Sequence, residues 1–141
     1  MTDVAIVYWS DTGNTEAMAK YIAEGVNASG KTAQIIRAET FSKESLNDYS
    51  AVAFGCPAMG DEVLEEDVFE PMFASLEDDL KGRRIAIFGS YGWGDGQWMR
   101  EWKDRVEKDG ADLVDSIMAN EYPDDEAIEQ CRTLGGRLAA R

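Results

Sequence analysis

The sequence contains no histidine, which removes the side chain most used as a general base and metal ligand near neutral pH. Its two cysteines, Cys56 and Cys131, have no metal-type spacing and read as reduced thiols, the expectation for a cytoplasmic protein. No apolar run reaches the roughly eighteen residues that suggest a membrane span. Met1-Thr2-Asp3 lacks the charged-then-apolar pattern of a signal peptide. Basic residues are scarce: 14 Lys and Arg stand against 28 Asp and Glu, a formal net charge of −14. Such a surface repels nucleic acid and anionic lipid and favours a basic partner, although solubility alone would account for it. No linker, internal repeat or low-complexity stretch divides the 141 residues. One domain over residues 1–141, with a sizeable core, is therefore expected.

Apolar or β-rich runs fall near Val4–Tyr8, Thr32–Arg37, Ala51–Gly55, Arg84–Gly89 and Asp112–Met118. Helical patterns lie between them. Met18, Ile22 and Val26 recur every four residues; Ser42–Asn47 could form a short second helix. Val68, Met72 and Leu76 mark a third, with Pro71 tolerated in its first turn. Trp98, Trp102 and Val106 mark a fourth, closed by Gly110. Ala127, Cys131, Leu134 and Leu138 mark the last, opened by Asp124, Asp125 and Glu126. The two tryptophans of the fourth stripe read as core, and Trp9 as packing. Strands alternating with helices predict an α/β fold, a parallel sheet covered on both faces. Such a sheet gathers the loops after its strands at one edge.

Three of those loops carry chemistry. Ser10-Asp11-Thr12-Gly13-Asn14-Thr15 follows the first strand and opens a helix. It supplies hydroxyls, an amide, a permissive glycine and backbone N–H groups at the positive end of a helix dipole, a cradle for phosphate. It holds no Lys or Arg, so it differs from a triphosphate loop and suits one terminal phosphate. An ordinary turn and N-cap would use similar residues. Ser90-Tyr91-Gly92-Trp93-Gly94-Asp95-Gly96 follows the fourth run. Its alternate glycines let backbone approach a flat ligand beside a tryptophan. It is no dinucleotide fingerprint, because Gln97 stands where the last glycine of that motif belongs. Cys56-Pro57-Ala58-Met59-Gly60-Asp61-Glu62 follows the third run and offers a soft thioether before a Gly-Asp turn.

These segments, in this order, resemble the short-chain flavodoxins of anaerobic bacteria, and the resemblance covers essentially the whole chain. It rests on Tyr8–Thr15, Ala58–Glu62 and Ser90–Gly96. Asp11 departs from the family's usual neutral residue and is expected to point to solvent. The resemblance implies a flavodoxin-like doubly wound sandwich with strand order 2-1-3-4-5 and ligand beyond the strand C-termini. It implies non-covalent FMN, with phosphate against Ser10, Thr12, Gly13, Asn14 and Thr15 and the ring between Met59 and Trp93. Ala58, Ser90, Tyr91 and Gly94 complete the expected contacts. Glu62 would accept from ring N3–H, backbone near Gly92 would meet the N1/O2 edge, and Asn120 would lie near the ring or ribityl chain. The Gly60–Asp61 peptide would turn its carbonyl to ring N5 when the neutral semiquinone forms.

The implied function is low-potential one-electron transfer between semiquinone and hydroquinone, without enzymatic turnover. A carboxylate roughly 12 Å away opposes the anionic hydroquinone by about 0.3–0.4 kcal/mol in high dielectric, or about 15 mV. Asp61, Glu62, Glu65, Glu66, Asp67 and Asp95 are expected to act in this way. Basic-faced reductases and low-potential oxidoreductases are the expected partners, and a monomer the expected state. A flavin-dependent NAD(P)H or quinone reductase on the same fold is the alternative. A phospho-receiver module is disfavoured, since it needs an Asp after the third strand and a Lys after the fifth. Cys56 and Met118–Asn120 stand there.

Overall fold

The computed structural model describes residues 3–140. Five strands, β1 (Val4–Tyr8), β2 (Ala33–Arg37), β3 (Ala51–Gly55), β4 (Arg84–Tyr91) and β5 (Asp112–Asn120), form one sheet in the order β2-β1-β3-β4-β5. Every pairing is parallel; Val4, for example, stands opposite Ala33 on one side and Ala51 on the other. Parallel neighbours need crossovers. They are supplied by the helices α1 (Asn14–Ala28), α2 (Phe69–Leu76), α3 (Gln97–Lys108) and by a 3-10 helix over Lys43–Asp48. The helix α4 (Asp125–Ala139) closes the chain.

Alternate residues of the central strands feed two separate cores. Ala5, Val7, Val52, Phe54, Ile85 and Ile87 join Phe69, Phe73, Trp98 and Trp102 of α2 and α3. Val4, Ile6, Ala53, Ala86 and Phe88 join Met18, Ile22, Cys131 and Leu134 of α1 and α4. Burial on both faces explains why β1 and β3 read as unbroken apolar runs rather than alternating ones. Phe54 and Phe73 meet edge to face with ring centroids 5.2 Å apart, and Phe69 meets Trp102 likewise at 5.5 Å. The Trp98 indole N–H donates to the Cys56 carbonyl, 3.2 Å away. Trp98 and Trp102 are thus core residues, and Trp9 is partly buried against the same cluster.

The sequence pattern places the elements well and their ends less well. The crossover at Ser42–Asn47 is a 3-10 helix over Lys43–Asp48 in which only Leu46 is buried. Val68 sits at the N-cap of α2 rather than within its stripe. β4 extends through Ser90 and Tyr91, and β5 through Asn120, because their last residues still pair as Ser90 with Ala119 and Tyr91 with Asn120.

Candidate functional site

The C-terminal ends of β1, β3, β4 and β5 meet at one edge of the sheet. A cleft of about 230 Å³ opens there, lined by Ser10, Asp11, Thr12, Asn14, Thr15, Pro57, Ala58, Met59, Ser90, Tyr91, Gly92 and Glu121. Its floor is tied together from several strands. The Trp9 N–H donates to the Gly55 carbonyl, the Cys56 N–H to that of Phe88, and the Ala58 N–H to that of Ser90, each at 3.0 Å. The Thr15 hydroxyl accepts from the Ser90 N–H at 3.3 Å and shares a 3.1 Å bond with the Ser90 hydroxyl. This buried pair fastens the first loop to the end of β4.

The first loop leaves donors free. Gly13, at φ +94°, is the N-cap of α1 and supplies no side chain to cap it. The Ser10 Oγ turns inward and accepts from the Gly13 N–H at 3.1 Å. The N–H groups of Thr12, Asn14 and Thr15 have no acceptor among the described residues. Helix N-termini normally satisfy such groups with caps or water. Here several unmatched donors border the cleft at the positive end of the α1 dipole, an arrangement that fits a phosphate. Asp11 is exposed at the lip of the cleft that it helps to line.

Across the cleft, Met59 and Val63 exchange both backbone hydrogen bonds, at 2.8 and 3.0 Å. They close a tight turn over Gly60, Asp61 and Glu62. Gly60 has φ +49° and Glu62 φ +58°. A Cβ on Gly60 would meet nothing within 4 Å, so conformation, not space, favours glycine there. The Glu62 carboxylate is buried, and its Oε1 accepts from the N–H groups of Gly96 and Gln97 at 3.2 and 3.1 Å. It therefore caps α3. A Cβ on Gly94 would press this same carboxylate off its bonds to α3, and the φ of +87° favours glycine there in its own right.

The remaining residues named from sequence lie at the margins. Trp93 stands exposed between the glycines, with 64% of its surface open. Asp61 is exposed on the turn. Asn120 is exposed, and its side-chain amide donates to the Tyr91 carbonyl at 3.3 Å. Its neighbour Glu121, at φ +57°, lines the cleft. Pro57 lies inside the Cys56–Glu62 motif without a side chain that marks it as a cleft residue, and a left-handed glutamate such as Glu121 has no sequence signal. Glu65, expected only as one of the acids near the ring, is buried, 6% exposed, and its carboxylate accepts backbone N–H groups.

The flavodoxin family model matches residues 6–135. The chain belongs to the flavodoxin family. It is 46% identical over 136 residues to the flavodoxin of Megasphaera elsdenii, covering 96% of this chain and 98% of that protein. It is 42% identical over 134 residues to the flavodoxin of Clostridium beijerinckii, covering 95% and 97%. The solution structure of two-electron reduced M. elsdenii flavodoxin superposes with a TM-score of 0.91, covering 96% of this chain and 98% of that one. The chain is thus a short-chain flavodoxin by family, an FMN-dependent electron-transfer protein and not an enzyme. Flavodoxins pass electrons between redox partners. No helix among the described residues is long and apolar enough to cross a membrane.

Proposed function

We propose that the Ser10–Thr15 loop holds the FMN phosphate and that the ring lies between the Met59–Val63 turn and the Tyr91–Gly94 loop. The observation that carries this reading is the set of unmatched N–H groups of Thr12, Asn14 and Thr15, opening into the cleft. Hydroxyls of Ser10, Thr12 and Thr15 and the Asn14 amide add neutral donors. FMN, when bound, supplies the one-electron redox chemistry; the protein supplies its binding and its electrostatic surroundings. Met59 lines the inner side of the cleft, and Trp93 swings in from solvent to cover the outer face, gaining apolar burial and stacking. The Glu62 carboxylate has one oxygen committed to α3. Its second oxygen accepts from the ring imide. Ala58, Ser90, Tyr91, Gly92 and Gly94 shape the walls, and Asn120 braces the Tyr91 carbonyl.

The partners are basic-faced reductases and low-potential oxidoreductases, drawn by the charge of −14. Self-repulsion at that charge favours a monomer. Two buried, unpaired cysteines suit the reducing cytoplasm. Burial raises both thiols, Cys131 to about 12, so neither is a reactive thiolate near neutral pH. The phosphate assignment is tested by titrating apoprotein with FMN and with riboflavin. FMN should bind far more tightly, because riboflavin leaves the loop donors unmatched. Equal dissociation constants would make Ser10–Thr15 only a helix start.

A further inference from the structure

Glu65 lies two residues beyond the turn that faces the flavin cleft, and it is an acid turned inward. Its Oε1 accepts from the N–H groups of Val68 and Phe69 at 2.8 and 2.7 Å, and its Oε2 from that of Asp67 at 2.9 Å. Its own N–H donates to the Cys56 sulfur at 3.3 Å, and its carbonyl accepts from the Glu70 N–H at 2.8 Å. One residue thus joins the end of β3, the exit of the turn and the first turn of α2. The entry of the turn is fixed separately, by the bond from Ala58 to Ser90. The Glu62 side chain is fixed on α3. Between these anchors, Gly60 and Asp61 are both exposed and Gly60 is unhindered.

We propose that Glu65 is a positioning residue for electron transfer: it immobilises the exit of the turn, so that only the Gly60–Asp61 peptide rearranges between redox states. This rests on the flavin placement above. The first couple adds one electron from the reductant and one proton from water; the second adds one further electron. A turn whose stems are fixed can present one peptide orientation to the oxidised ring and another to the reduced ring. A turn with a loose stem shifts as a whole and discriminates between them less. Glu65 therefore helps to set the separation between the two couples. A glutamine keeps the size of Glu65 but brings one acceptor oxygen and an NH₂ group that faces amide N–H, leaving a buried donor unmatched. An aspartate keeps the carboxylate and both acceptor oxygens.

The test is spectroelectrochemical titration of holoprotein carrying Glu65→Gln and Glu65→Asp, beside wild type. In the glutamine variant, the equilibrium constant separating the two couples should fall about tenfold, a narrowing of about 59 mV. The aspartate variant should restore most of it. An unchanged separation in folded, flavin-loaded Glu65→Gln would overturn the proposal, as would an equal shift in both variants. If the glutamine variant does not fold, Cys56→Ala removes the acceptor of the Glu65 N–H, together with a buried sulfur and its 3.5 Å bond to the Pro57 carbonyl, and should narrow the gap in the same direction; no narrowing overturns the proposal. Failure of wild-type apoprotein to take up FMN would instead remove the placement beneath it, an outcome read before any variant is made.

Discussion

Trp93 stands in solvent at the tip of a loop whose neighbours are glycines, so its indole has few protein contacts to lose and a flavin ring to gain. Trp93→Ala should weaken FMN binding by about 1–3 kcal/mol and raise flavin fluorescence, both measured by titration of apoprotein. Unchanged affinity and emission would mean that Trp93 does not cover the ring. Gly60 is the complementary case, already at φ +49° with open space around it. Gly60→Val should therefore strain the turn whether or not flavin is bound, lowering apoprotein stability by on the order of 1–2 kcal/mol for a left-handed backbone, measured by urea unfolding; unchanged stability would mean that the turn relaxes without cost. Single residues were also where the sequence was least informative. Ser10–Thr15, Met59 and Tyr91–Gly92 could be read because glycine, hydroxyl and soft side chains have few other uses at strand ends. The helix-capping roles of Glu62 and Glu65 could not, because an acid that caps a distant or a following helix has the same composition as a solvated one.

Two helix packings set the stiffness beneath the site. The helices α1 and α4 cross so closely that a Cβ on Gly25 would strike the Arg132 carbonyl and one on Gly135 the Ile22 carbonyl. Gly135→Ala should lower apoprotein stability by about 1–3 kcal/mol through overpacking, measured by urea unfolding. On the other face, Arg105 clamps α3 to α2: it bonds Glu70 at 2.8 and 2.7 Å and Glu77 at 2.8 and 2.6 Å, over the Phe73 ring. Asp109 lies beside Glu77. Burial, then its bond to Glu77, raises the Asp109 carboxyl to about 6. Burial opposes ionisation of Glu77 as well, but the bonds from Arg105 and Asp109 outweigh it and lower that group. Below about pH 6 the pair shares one proton, on the Asp109 side. Because the folded value of Asp109 lies above its unfolded value near 3.8, its contribution to stability is present at pH 4 and fades as pH rises through about 6. Asp109→Asn should therefore gain on wild type between pH 5 and pH 8 in urea unfolding; parallel curves would refute the shared proton. Helix stripes and strand runs made these elements legible in outline. Their ends depended on pairing across the sheet, as at Ser90–Ala119, and a single strand's pattern does not contain its neighbour.

At the scale of the whole molecule, the charge of −14 is the dominant long-range feature. Glu66 and Asp67 are exposed beside the turn, and Asp61 and Asp95 are exposed near the ring-facing loops. Electron transfer with a basic reductase should slow as salt rises, because screening weakens steering of the encounter. Stopped-flow rates across ionic strength should show this, and Glu66→Lys with Asp67→Lys should flatten the curve. Glu65 is unsuitable for that purpose, since replacing it removes the acceptor of the Asp67, Val68 and Phe69 N–H groups. Both cores, the open cleft at the strand ends and the acidic surface serve one central claim: the chain holds a flavin that moves one electron at a time. The measurement that tests it most directly is potentiometric titration of the purified holoprotein, followed by its visible spectrum. Two separated one-electron couples, with a half-reduced species accumulating between them, are the predicted result. A single two-electron step, or protein that carries no FMN, would contradict it.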